Sequence, residues 1–247
     1  VVQLLRRDGR EVIVEAGGFL FRHRNALFPC AVVLAFVPGP LLFADPMRAA
    51  ELGALVALAG QLVRAATIGL EYIVRGGREG RVHADDLVTG GVFAHCRNPL
   101  YLGNLVIIAG VALASDSEVA LVLAPAVFAL AYYCIVRAEE DYLLRRFGDD
   151  YRRYCERTPR FAVRMKGLAA TLRGSRFHWR RLVVKEYSTP FAWILGIAIL
   201  AAANLLRLRG LEQSQTQLLE IAAVVTAYFA IGMVARTLKK RRLLVGD

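Results

Sequence analysis

The chain has 247 residues, 56% of them hydrophobic, a mean hydropathy of +0.43 and a formal net charge of +11. An ordinary water-soluble domain of this length would be less apolar. Excess basic charge suits nucleic acid or an anionic membrane surface, and the long apolar blocks decide for the membrane, so no nucleic-acid partner is expected.

No signal peptide is expected, because the first residues are charged and the first apolar block begins only near Ala26. Six blocks approach the roughly 20 apolar residues that a bilayer span needs. The first, Ala26–Phe43, contains Pro29, Pro38 and Pro40 and should be kinked. The second, Ala50–Val74, carries Gln61, Arg64 and Thr67. The third, Pro99–Ala114, is short, and the fourth runs Val119–Val136. The fifth and sixth are Pro190–Leu206 and Leu218–Ala235. The reading is an all-α polytopic membrane bundle of about six transmembrane helices with interfacial helices.

Basic residues set the expected orientation. Arg6, Arg7, Arg10, Arg22 and Arg24 precede the first span; Arg75, Arg78 and Arg81 separate the second and third; Arg137–Lys185 is densely basic; Arg236–Arg242 follows the last. The alternate loops are poorer in basic residues, although Arg207 and Arg209 run against the trend. Both termini are therefore expected in the cytoplasm, with the protein in a bacterial inner membrane. Segments are expected at 1–25 (interfacial), 26–161 (core of four spans), 162–189 (basic connector) and 190–247 (two further spans). The connector carries seven basic residues beside Leu168, Leu172, Phe177, Trp179 and Leu182. It reads as one or two interfacial helices on anionic membrane lipids.

Cys30, Cys96, Cys134 and Cys155 form no C-x-x-C pair and read as reduced hydrophobes. His23, His83, His95 and His178 share no metal-ligand spacing and are expected near the surface, so no metal is expected. Gly76–Gly80 follows a membrane helix rather than a strand and reads as a loop, not a nucleotide cradle. Gly196, Ala198 and Ala202 are small residues suited to helix packing.

The sharpest local feature is Cys96-Arg97-Asn98-Pro99-Leu100-Tyr101-Leu102-Gly103-Asn104. Asn98 suits an N-cap and Pro99 the first helical position. The free amides of such a helix start, with Arg97, make a positive corner for a carboxylate or phosphate. Glu139-Glu140 follows the fourth span, where carboxylates at a helix C-terminus need a compensating cation. Adjacent residues stand about 100° apart on a helix. One glutamate can therefore face a cationic ligand while the other pairs with Arg97 or Arg137. Arg64, inside a span, is a candidate for the substrate head group, the cofactor, or a buried ion pair.

Leu87-Val88-Thr89-Gly90-Gly91-Val92-Phe93, Arg97-Asn98-Pro99-Leu100-Tyr101-Leu102-Gly103, Glu139-Glu140, Phe147-Gly148, Tyr151, Tyr154 and Pro159-Arg160-Phe161 occur in order. That series resembles the integral membrane methyltransferases typified by isoprenylcysteine carboxyl methyltransferase and the phospholipid N-methyltransferases. The resemblance covers Gln61–Phe161. It implies an S-adenosylmethionine site shaped by Arg97, Asn98, Pro99, Tyr101, Leu102, Gly103 and Glu140, with Glu139 beside it. It also implies a lipid or prenyl-type acceptor. Many members carry His where this chain has Asn98, a variant resembling the phospholipid branch, so no role of that His transfers. Helix-start amides and Arg97 suit the cofactor's carboxylate, and a glutamate suits its ammonium. Positioning does much of the work in an in-line methyl transfer. Glu139 or water is the expected proton acceptor for a neutral amine. Two other readings stand beside this one: an NADPH-dependent enzyme like the membrane sterol reductases, and a non-catalytic lipid-binding or transport protein. The acceptor atom and the oligomeric state are not specified by the sequence.

Overall fold

The computed structural model describes residues 8–71 and 83–240. Arg6, Arg7, Arg75, Arg78, Arg81, the Gly76–Gly80 loop and the basic residues beyond Lys240 lie outside them.

Eight α-helices follow in order: α1 (Gly9–Arg22), α2 (Leu27–Ala35), α3 (Pro46–Leu70), α4 (Pro99–Ala114), α5 (Glu118–Arg157), α6 (Leu168–Gly174), α7 (Trp179–Glu186) and α8 (Ser188–Lys240). Among the described residues, three helices are long and apolar enough to cross a membrane: α3, α5 and α8 as far as Val234. The chain is an integral membrane protein. Leu55, Leu62, Val122, Leu130 and Ile231 are exposed on the outside of these helices, as lipid-facing side chains should be.

The expected first span is not one helix. A 3-10 turn at Arg24–Ala26 separates α1 from the nine-residue α2. Past Ala35, the run Pro38-Gly39-Pro40 cannot extend a helix, and Leu41 instead bridges Ser117. The segment expected to lie at the interface also packs inside: a Cβ on Gly17 would come within 1.9 Å of the Cys134 carbonyl oxygen, so α1 lies directly on α5. α3 starts earlier than expected because the Asp45 side chain accepts the Met47 amide at 3.1 Å and Pro46 opens the helix. α4 has the expected bounds and, at about 24 Å, is shorter than the hydrocarbon layer.

α4 is the hub. On one side it meets α3 through reciprocal glycines: a Cβ on Gly60 would lie 2.6 Å from the Gly103 carbonyl oxygen, and one on Gly53 2.5 Å from that of Gly110. The antiparallel seven-residue spacing on both helices lets the backbones touch, the arrangement by which membrane helices gain contact without a hydrophobic drive. Elsewhere α4 supplies Ile107 and Val111 to a core with Trp193 and Leu200 of α8. It also supplies Ile108 and Ala112 to a core with Phe128, Tyr132 and Ile135 of α5.

Two glycines redirect long helices. At Gly210 (φ 75°, ψ 174°) α8 reverses, and Phe191 meets the rings of Tyr228 and Phe229 at 6.3 and 6.1 Å. The expected fifth and sixth spans are thus the two arms of one hairpin. At Gly148 (φ 52°, ψ −122°) α5 breaks after about eight turns, and the remainder turns back toward the start of α4. Glu139 and Glu140 therefore sit in mid-helix rather than at a helix C-terminus, and the dipole argument made for them does not apply.

At the opposite end of the bundle, the α4–α5 turn is a buried polar knot. The fully buried Asp116 accepts the Phe43 amide at 2.8 Å, Asn204 donates to the Ser115 carbonyl at 2.8 Å, and the Ser117 hydroxyl caps Ala120.

Candidate active site

Three chain segments converge where α4 begins. The backbone of 94–98 is bound along the 158–164 strap: the Arg97 amide donates to the Pro159 carbonyl at 2.9 Å and the Arg164 amide to the His95 carbonyl at 2.9 Å. Asn98 Nδ2 donates to the Arg160 carbonyl at 3.1 Å. Asn98 therefore does not cap α4 with its side chain, as expected from sequence, but ties the helix start to the strap. His95 is buried, not superficial. Its Nδ1 lies 2.7 Å from the Arg164 carbonyl and its Nε2 2.9 Å from the Thr171 hydroxyl, which fixes α6 against the motif. Cys96 lies beneath, and burial pushes its thiol above the ordinary range.

The glutamates divide their partners. Arg97 Nη1 reaches Glu140 Oε1 at 2.8 Å, and Arg160 grips the same carboxylate with Nε at 2.8 Å and Nη2 at 2.7 Å. This two-pronged fork is the strong form of the ion pair, and it holds the Arg160 guanidinium above its ordinary pKa. Glu139 instead accepts the Tyr101 hydroxyl at 2.9 Å, and Tyr101 rests on Tyr132 with ring centroids 5.0 Å apart. Of the two glutamates, Glu140 is therefore the one paired with arginine, with both its oxygens already held.

A cleft of about 200 Å³ opens at this junction, lined by Ala84–Val88, Phe93, Arg97, Asn98, Glu139, Glu140, Leu143, Tyr151 and Tyr154. Past the Gly148 break, Tyr154 donates to the Phe93 carbonyl at 2.8 Å and closes the far wall. Arg97 Nε is buried without a hydrogen-bond partner among the described residues. A donor left in that state costs about 1–3 kcal/mol, so an anion bound at this wall would be stabilised.

Of the residues expected at the site, Arg97, Asn98, Glu139 and Glu140 line the cleft. Pro99, Tyr101, Leu102 and Gly103 do not: Pro99 opens α4, Tyr101 acts from behind on Glu139, Leu102 belongs to the first turn, and Gly103 packs on Gly60 and Arg64. Arg64 is drawn into a separate buried cluster. Its Nε and Nη2 meet the two Glu186 oxygens at 2.5 and 2.9 Å, and Nη1 meets Asn104 Oδ1 at 2.5 Å. Gln61 joins Glu186 to Trp193 at 3.2 Å on each side. Arg160, Tyr151 and Tyr154 belong to the resembling series without an individual role, and nothing in the sequence singles out Glu186. No sequence signal links Glu186 to Arg64. Among the described residues no group of three or more His, Cys, Asp or Glu side chains is placed to hold a metal ion.

The family model described as phospholipid methyltransferase matches residues 47–150, which include α3, α4 and α5 beyond the Gly148 break. The cobalt-zinc-cadmium resistance protein CzcN of Cupriavidus metallidurans is 32% identical over 151 residues, covering 60% of this chain and 67% of that protein. The nickel-cobalt-cadmium resistance protein NccN of Alcaligenes xylosoxydans xylosoxydans is 32% identical over 152 residues, covering 60% of this chain and 68% of that protein. No solved structure matches. The chain belongs to the phospholipid methyltransferase family of membrane proteins.

Proposed function

We propose that the protein is an S-adenosylmethionine-dependent methyltransferase acting on a lipid or lipid-like acceptor at the cytoplasmic face of the membrane. The observation that carries this reading is the meeting on one cleft of Arg97, with an unsatisfied donor, and Glu139, which the Tyr101 hydroxyl braces from behind. These residues fit the cofactor's charged groups. Arg97 would hold its carboxylate. Glu139, which forms no ion pair with an arginine among the described residues, is the better partner for its ammonium. Glu140 would act through Arg97, fixing the guanidinium in place. When bound, S-adenosylmethionine supplies an electrophilic methyl group on a sulfonium centre. The chain's part is to hold donor and acceptor in line and to keep the cleft positioned beside the bilayer. Arg64 is proposed as a positioning residue, holding α7 and the start of α8 against the core.

The names of the two relatives concern metal resistance; on this reading a role of that kind would act through the membrane lipid rather than on the metal. The test is to incubate the purified protein with methyl-labelled S-adenosylmethionine and native lipid extract, then identify the labelled product. Calorimetry in parallel should show S-adenosylmethionine binding. Binding of NADPH in its place would sink the proposal in favour of reductase chemistry, and binding of neither would favour a lipid carrier.

A further inference from the structure

Arg97, Glu140 and Tyr151 also line a second pocket, of about 400 Å³, so they form a partition with an opening on either side. Helix periodicity explains the division. On α5, Arg137, Glu140, Asp141 and Leu144 recur at the three- and four-residue spacing of one face, which lines this second pocket. Glu139 and Leu143 belong to the neighbouring face and line the cleft. Arg10 of α1, Arg152 and Arg160 complete the annex.

Five arginines here face three carboxylates, Glu140, Asp141 and Glu156. Several are already matched: Glu140 offsets one of Arg97 and Arg160, Asp141 pairs with Arg145 at 2.6 Å, and Arg152 pairs with Asp149 at 3.1 Å. The side chains of Arg10 and Arg137 make no hydrogen bond or ion pair with any described residue, and Glu156 offsets only one of them. Uncompensated positive charge therefore remains around an open pocket. Arg137 also stands one residue beyond the apolar run that ends at Val136, the depth at which hydrocarbon gives way to head groups.

We propose that this annex binds a phosphoryl group carrying net negative charge, separate from the ligand of the cleft but sharing the Arg97–Glu140 wall. Arginine forks match phosphoryl oxygens in pairs, and a pocket at head-group depth can draw such a group from an anionic phospholipid or from free phosphate.

Native mass spectrometry of the full chain tests this, using micelles doped with phosphatidylglycerol or phosphatidylcholine, with and without inorganic phosphate. The wild-type protein should retain phosphatidylglycerol in preference to phosphatidylcholine. Arg10→Gln combined with Arg137→Gln should lower that occupancy roughly tenfold or more, as expected for two basic residues at a membrane surface, while Arg137→Lys keeps most of it. Displacement of the lipid by inorganic phosphate would identify free phosphate as the source, and persistence would identify the lipid; both support the site. Absence of any preference together with no phosphate binding would overturn it. So would wild-type occupancy in a double variant whose unfolding temperature is unchanged. Should the double variant not fold, equal occupancy in Arg137→Lys and Arg137→Gln would overturn it instead. Calorimetry with S-adenosylmethionine on the same variants reads the cleft independently.

Discussion

Arg64 and Glu186 stand 122 residues apart in sequence, yet two hydrogen bonds of 2.5 and 2.9 Å join them with both side chains almost wholly buried. The pair fastens α7 and the head of the α8 hairpin to the α3–α4 core. Burying two charges is costly, and removing only one partner strands the other. Glu186→Ala should therefore cost about 3–5 kcal/mol of stability, read as a large fall in unfolding temperature in detergent. Arg64→Met combined with Glu186→Leu should recover most of that loss. A double variant as unstable as the single one would show that the charges do more than neutralise each other.

Neighbouring glycines on α1 should respond oppositely. A Cβ at Gly17 collides with the Cys134 carbonyl, while one at Gly18 meets nothing within 4 Å. Gly17→Ala should push α1 off α5 and destabilise by about 1–3 kcal/mol. Gly18→Ala should be neutral or stabilising by up to about 1 kcal/mol, from the better helix propensity of alanine. Thermal unfolding of the two variants side by side is the check.

At the cleft, Arg97→Lys keeps a charge but loses the planar guanidinium and its unpartnered Nε. A hydrogen bond to a charged group contributes roughly 1.5–3 kcal/mol, so S-adenosylmethionine affinity should fall about ten- to a hundredfold. Tyr101→Phe removes the one hydrogen bond that the Glu139 carboxylate accepts among the described residues and should lower methyl transfer while leaving the Arg97–Glu140 pair in place. Calorimetry and product labelling on each variant separate binding from turnover.

The Cys96 thiol, raised by burial, gives the fold an alkaline liability with a definite sign. The folded state holds this proton more tightly than the unfolded chain does. Its contribution is complete below the unfolded thiol pKa, about 8.5, and is lost as pH rises from there through the raised folded value. Cys96→Ala should flatten that part of the alkaline unfolding curve, measured as unfolding temperature against pH.

Much of the architecture was legible because local signals suffice for it. Asn98-Pro99 marked the start of α4, and apolar length marked α3 and both arms of the α8 hairpin. The first span misled, since apolar content was counted across Pro38-Gly39-Pro40, where backbone chemistry ends the helix. Glu140 does meet Arg97, but the apolar run stops well before the helix does. The polar stretch beyond Val136 remains helical until Gly148 takes a conformation that glycine adopts most readily. The seven-residue register of Gly53 and Gly60 against Gly103 and Gly110 was present in the sequence and readable only by comparing two helices. His95 is buried where the sequence suggested the surface, and nothing in the sequence singles out Glu186, because the partners of both are fixed by tertiary packing.

The unbroken course of α5 through Glu140 acts as a ruler. Glu139 and Glu140 stand three and four residues past Val136, so helical rise alone sets them about 5–6 Å beyond the end of the apolar run. A lipid head group could then meet the cleft without its chains leaving the bilayer. One residue inserted between Val136 and Glu139 would lift the carboxylates by about 1.5 Å and swing them about 100° around the helix, exchanging the face that serves the cleft for the one that serves the annex.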